Sequence, residues 1–173
     1  DPSRYRQAGR STAAEIDVRA ALGAQFDRAQ GSTVEKLENF PCHVPRQALT
    51  RFLCLSELFR LALDVQGDIM ECGVNWGGGL MTFAQLSAIL EPVNLQRRVV
   101  GFDTFSGFAA VDTQDAHAVV QTAERRVGGY HADSQADLTE AIRLFDANRF
   151  IGHIPKVELV AGDVAETVPR YLE

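Results

Sequence analysis

The chain is poor in the residues that would tie it to the commonest special classes. Among its 173 residues there are three cysteines, Cys42, Cys54 and Cys72. An odd count with no C-x-x-C spacing gives neither a disulfide framework nor a zinc site, and favours free thiols in a reducing compartment. Lys36 and Lys156 are the only lysines, and the formal net charge is −6. Binding to nucleic acid or to an anionic membrane surface needs a basic face, so that balance argues against both partners. No apolar run reaches the 18 residues that a membrane span requires. The N-terminus, Asp1-Pro2-Ser3-Arg4, has no apolar signal core and no initiator Met. A processed or trimmed product in the cytoplasm is the expectation.

What remains is an ordinary soluble composition, 46% hydrophobic and 23% charged, enough for one domain with a core. Residues 1–12 are polar and expected to fray. Residues 13–30 carry Ile16, Ala20, Leu22 and Phe26 at helical spacing, and Gly31-Ser32-Thr33 breaks that pattern and offers a new cap. Val34, Leu37 and Phe40 predict a short helix stopped by Pro41. Residues 46–63 give the strongest helical signal, with Leu49, Phe52, Leu53, Leu55, Leu58, Phe59 and Leu63 in one wide stripe. That stripe is expected to pack on a sheet, with a dimer interface or a lid as the alternatives. Residues 1–66 thus form a helical N-terminal extension.

From Gly67 the period changes. Ile69–Val74, Val99–Asp103 and Val157–Ala161 are short apolar runs that read as buried strands. Helical segments at Leu80–Leu90, Ser134–Arg149 and Val164–Leu172 alternate with them, with Ser134 as an N-cap. Strand–helix alternation predicts a Rossmann-like, doubly wound α/β fold with a parallel sheet and right-handed crossovers. Only the first three strands are visible, so residues 67–173 read as the N-terminal half of such a domain. Ala109–Val127 has little apolar periodicity and suggests a mobile excursion over a site.

In such sheets ligands bind beyond the carboxyl ends of the strands, and here all three ends carry acids. The first ends Glu71-Cys72-Gly73, the second Asp103-Thr104-Phe105, the third Gly162-Asp163. Gly73, Gly77, Gly78 and Gly79 permit a tight turn and a close approach of backbone to ligand, and they lead into a helix N-terminus. Asn75 stands where a dinucleotide fingerprint would need glycine, which counts against a nicotinamide oxidoreductase. Asp103 lies where an acid can hold ribose hydroxyls. Glu71 sits inside an apolar strand, where a carboxylate without compensation costs several kcal/mol. Glu124, His131 and Asp133 are polar loop residues whose spacing demands no metal, and His43, His117 and His153 read as surface or capping residues.

In order, these motifs resemble the macrocin O-methyltransferase (TylF-type) family of class I S-adenosylmethionine-dependent methyltransferases. The resemblance rests on Phe40–Phe59, Gly67–Gly79, Arg98–Phe108, Gly128-Gly129-Tyr130 and Val160–Val164. It implies that Glu71 and Gly73, with Gly77, shape the pocket for the methionine end of S-adenosylmethionine. It further implies that Asp103 holds the ribose, that Thr104 and Phe105 line the site, and that Gly162-Asp163 lies near the adenine. Ser106–Phe108 and Gly128–Asp133 would face cofactor and acceptor. The implied reaction is methyl transfer to a sugar hydroxyl of a natural-product glycoside, assisted by Mg2+. The acids that would bind that metal follow later strands in the family and have no counterpart in this sequence, so neither a metal ligand nor a catalytic base is assigned. Two other readings stay open: a non-catalytic or truncated methyltransferase-like fragment acting in assembly, and a nicotinamide enzyme. A three-stranded half-sheet leaves an apolar edge, which predicts pairing into a homo-oligomer or continuation in a longer polypeptide.

Overall fold

The structure, a computed structural model, describes residues 12–111 and 126–173. Expectations about residues 1–11, about His117 and Glu124, and about most of the Ala109–Val127 excursion lie outside the described residues. The chain divides into two compact units, Asp1–Leu53 and Cys54–Glu173.

The first unit is helical. Helix α1 (Ala13–Arg28) and helix α2 (Thr33–Glu38) each begin with a capping box. Thr12 and Ser32 accept the backbone N–H of Glu15 and Glu35, and those carboxylates accept the cap residues' own N–H groups at 2.9 and 2.7 Å. Two orphan donors are satisfied reciprocally at each start. Pro41 does not terminate α2. The helix ends at Glu38, and Pro41 lies in a separate 3₁₀ turn, Phe40–Cys42. Lys36 Nζ donates to the Phe26 carbonyl at 2.8 Å, and the His43 ring meets Phe26 edge-on. No residue of α1 or α2 is buried.

Helix α3 (Arg46–Ala62) spans the division. The expectation that its stripe forms core fails for most of its length: only Phe59 is buried, near Phe83 at 6.4 Å between ring centroids. Phe52, Leu53, Leu58 and Leu63 are exposed. Helical spacing puts apolar groups on one face, but it does not say what covers that face.

The second unit holds the sheet. Strands β1 (Ile69–Cys72), β2 (Val99–Asp103) and β3 (Val157–Ala161) are parallel, in the order β1-β2-β3. Ile69 lies opposite Val99, and Val99 opposite Val157. Helix α4 (Gly78–Leu90) connects the first two strands, helix α5 (Gln135–Asn148) precedes the third, and helix α6 (Val164–Leu172) follows it. Regular pairing of β1 stops two residues before Val74, because Gly73 turns the chain at φ +81°. Val99, Val100 and Phe102 of the central strand are fully buried, as expected for a parallel strand covered on both faces. Val99 shares one core cluster with Val74, Leu80, Ala84, Phe105, Leu138, Phe145 and Val157, whereas the Phe102 ring meets Tyr171 edge-on. Gly101 sits where a side chain would strike Val74 and Leu80, so its lack of a Cβ sets how closely α4 approaches β2.

Two buried cations fasten the amino ends of the strands, away from the cleft. Arg97 is 5% exposed; it donates to Glu91 at 2.7 Å and to the carbonyls of Ala62, Val65 and Gly67. Lys156 donates to the Asn94 carbonyl at 2.7 Å, and burial pushes its ammonium pKa down, partly offset by Glu91. A buried charge is tolerated only when its hydrogen bonds are made.

Candidate functional site

The carboxyl ends of the three strands open into one cleft of about 910 Å³. Cys72 and Gly73 from β1, Asp103 and Thr104 from β2, and Asp163 at the start of α6 all line it. The opposite wall is Gly107–Val111 with Gly129 and Tyr130.

Asp103 is the most constrained group there. One carboxylate oxygen accepts the Asn75 N–H and the other the Phe105 N–H, each at 2.8 Å. Its carbonyl accepts the Gly162 N–H at 2.9 Å, which ties the end of β3 to the end of β2. A carboxylate oxygen has two lone-pair directions, so each retains acceptor capacity toward the cleft. Three non-glycine residues, Asn75, Phe105 and Tyr130, have left-handed backbones, at φ +54°, +54° and +53°. Such conformations are sparsely populated, and where they cluster they mark a constrained site.

The glycines of the first turn act in different ways. Gly73 faces open space, with nothing within 4 Å of where a Cβ would be. Gly77, at φ +79°, is the N-cap of α4 and lies under Leu138, whose methyl groups a Cβ would overlap. Gly79 leaves room for the Glu71 carboxylate, which a Cβ would also overlap. On the opposite wall Gly107, at φ +86°, crosses within van der Waals reach of Gly128 and Gly129. Phe108 N–H donates to the Gly129 carbonyl and Gly128 N–H to the Phe108 carbonyl, at 3.1 and 2.9 Å. This crossing sets Phe108 edge-on to Tyr130, at 5.6 Å between centroids.

Of the residues singled out from sequence, Gly73, Asp103, Thr104 and Asp163 are therefore brought together on the cleft. Glu71, Gly77, Phe105 and Gly162 stand beside it: Glu71 against Gly79, Gly77 under Leu138, Phe105 in the core, and Gly162, at φ +140°, against Thr167. Asp163 also caps α6, accepting the Ala165 N–H at 2.9 Å. Sequence reasoning passed over Asn75 as a site residue, although asparagine is among the few residues that tolerate the left-handed region. Ser134 occupies its expected N-cap position without capping. It is buried, and its hydroxyl donates instead to the Asn75 carbonyl at 2.5 Å. Among the described residues, no group of three or more His, Cys, Asp or Glu side chains could hold a metal ion. No helix among them is long and apolar enough to cross a membrane.

No family model matches the chain, and no curated protein does. Solved structures do. The calicheamicin methyltransferase CalS11 is similar at 35% identity with a TM-score of 0.87, covering 99% of this chain and 65% of that one. The apo structure of CalS11, described as a TDP-rhamnose 3'-O-methyltransferase of calicheamicin biosynthesis, matches at 37% identity and a TM-score of 0.75, covering 94% and 62%. The chain thus spans just under two thirds of the length of these neighbours. Its three parallel strands and flanking helices are the Rossmann-like methyltransferase fold, shortened relative to them.

Proposed function

We propose that this chain carries the cofactor-binding part of an S-adenosylmethionine-dependent O-methyltransferase of the macrocin O-methyltransferase kind, acting on a sugar hydroxyl of a natural-product glycoside. The observation that carries the proposal is the Asp103 carboxylate, fixed by two backbone N–H groups at the floor of a cleft that Gly73 leaves open. The cleft suits the cofactor: Asp103 would accept ribose hydroxyls, Gly73 would admit the methionine portion, and Asp163-Val164-Ala165 would border the adenine. The description of the apo CalS11 structure as a TDP-rhamnose 3'-O-methyltransferase supports a sugar acceptor.

The cofactor supplies an activated methyl group on a sulfonium. The protein's share is to hold that group in line with an acceptor oxygen, so that proximity and alignment replace a bimolecular encounter. The Phe108–Tyr130 wall would exclude water from one side of the cleft. Magnesium assistance is implied by the family resemblance, but the described residues hold no cluster of His, Cys, Asp or Glu that fits a metal ion. Free thiols at all three cysteines agree with a cytoplasmic setting. Self-association through an edge of the three-stranded sheet belongs to the same reading.

Titration calorimetry with S-adenosylmethionine, S-adenosylhomocysteine and NAD tests the proposal. The first two should bind and NAD should not, and Asp103→Ala should abolish binding without unfolding the chain. Binding of NAD alone, or full affinity in Asp103→Ala, would overturn it.

A further inference from the structure

Ser134 is a buried hydroxyl at the N-cap of α5, where its usual work is to accept a helix N–H. It caps nothing. We infer that Ser134 is a positioning residue for the cofactor cleft, acting through Asn75 on Asp103. The inference rests on the cofactor reading given above.

The geometry runs through three residues. Asn75 lies in the left-handed region at φ +54°, which asparagine tolerates better than most residues but which is still sparsely populated. Its N–H belongs to the peptide before its Cα, and its carbonyl to the peptide after. The N–H donates to Asp103 Oδ2 at 2.8 Å, and the carbonyl accepts from Ser134 Oγ. Fastened at both peptides, Asn75 can change neither φ nor ψ without breaking one bond. The Asp103 carboxylate therefore has a fixed donor on one oxygen, as Phe105 N–H provides on the other. Asn75 and Asp103 line the cleft, whereas Ser134 is buried and does not line it. One helical turn further on, Leu138 of α5 covers Gly77, so the same helix braces the turn at two points. Removing the hydroxyl frees the second peptide of Asn75 and lets the donor to Asp103 drift.

Two readouts separate this role from simple structural support. In Ser134→Ala the affinity for S-adenosylhomocysteine should fall about tenfold, the scale of one lost hydrogen bond. The Asn75 amide should lose protection from exchange by a similar factor, while the amides of the α5 interior keep theirs. Ser134→Thr, which retains a hydroxyl donor, should restore both. If the wild-type chain binds S-adenosylhomocysteine and Ser134→Ala binds it equally well, the role of Ser134 is overturned while the cofactor reading stands. If the wild-type chain does not bind, the cofactor reading falls and the proposed role falls with it. Equal loss of protection throughout α5 would mean that the substitution merely destabilises the helix, which also overturns the role.

Discussion

Gly73 and Gly101 are both glycines in or beside the sheet, yet they answer to different forces. At Gly101 a Cβ would lie 2.7 Å from Val74 Cγ2 and 2.9 Å from Leu80 Cδ2, in the fully buried layer between β2 and α4. Gly101→Ala should cost about 1–3 kcal/mol of stability by overpacking, read as a lower urea midpoint with an unchanged slope. At Gly73 nothing stands within 4 Å, and only the backbone at φ +81° resists a side chain. Gly73→Ala should cost about 1–2 kcal/mol in stability and, because its methyl would project into the cleft, weaken S-adenosylhomocysteine binding. A Gly101→Ala variant as stable as wild type would show that α4 is free to move off the sheet. The sequence could show that glycines cluster before α4, but not which of them faces a ligand. Gly73 faces the cleft, Gly77 faces Leu138 of α5, and Gly79 faces Glu71 of β1, and that division is set by tertiary contacts rather than by the local pattern. Asn75 was legible only as a departure from a dinucleotide fingerprint, since its left-handed backbone is held by groups distant in the chain.

Among the elements, starts and periods were legible where local chemistry decides them. Ser32 before α2 and the three strands fall where cap residues and short apolar runs put them. The burial of α3 was not legible, because an amphipathic stripe is the same whether or not a partner covers it. Ser134 marks the beginning of α5, but the orientation of its hydroxyl depends on a carbonyl 59 positions earlier. The capping boxes give a prediction of their own. The Ser32 N–H and hydroxyl hold the Glu35 carboxyl below the usual carboxylate range, and Thr12 does the same for Glu15, with Arg46 adding attraction. A carboxyl whose pKa is depressed in the folded state contributes stability above its unfolded pKa and loses it as pH falls through the folded value. The first-turn amides of α1 and α2 should therefore exchange faster as pH falls through the carboxylate range, after correction for intrinsic rates. Glu35→Gln, which removes the titrating carboxyl, should abolish that pH dependence in α2 and leave it in α1. A pH-independent protection factor at Glu35 would mean that the box does not persist in solution.

At the scale of the whole molecule, stability should be unevenly distributed, because burial is. The core lies in Cys54–Glu173, around a central strand whose Val99, Val100 and Phe102 are fully covered. Each such side chain contributes about 1.5–3 kcal/mol on leaving water, and the backbone amides between them are reachable only when the sheet opens. Helices α1 and α2 bury no residue, and their contacts include exposed caps, the Lys36 bond to the Phe26 carbonyl, the Gln25–His43 hydrogen bond, the Arg46–Glu15 ion pair and the Phe26–His43 ring contact. Groups held mainly by solvent-accessible hydrogen bonds open locally, at a free energy well below that of global unfolding. In native-state hydrogen exchange the amides of Val100 to Asp103 should therefore track the global unfolding free energy measured by urea. Those of α1 and α2 should exchange with far weaker dependence on denaturant. Phe102→Ala should lower protection throughout β1, β2 and β3 together, by about 3–5 kcal/mol, and leave α1 and α2 unchanged. A single common protection level for both units would refute the partition, and would require apolar cover over α1 and α2 that the described residues do not supply.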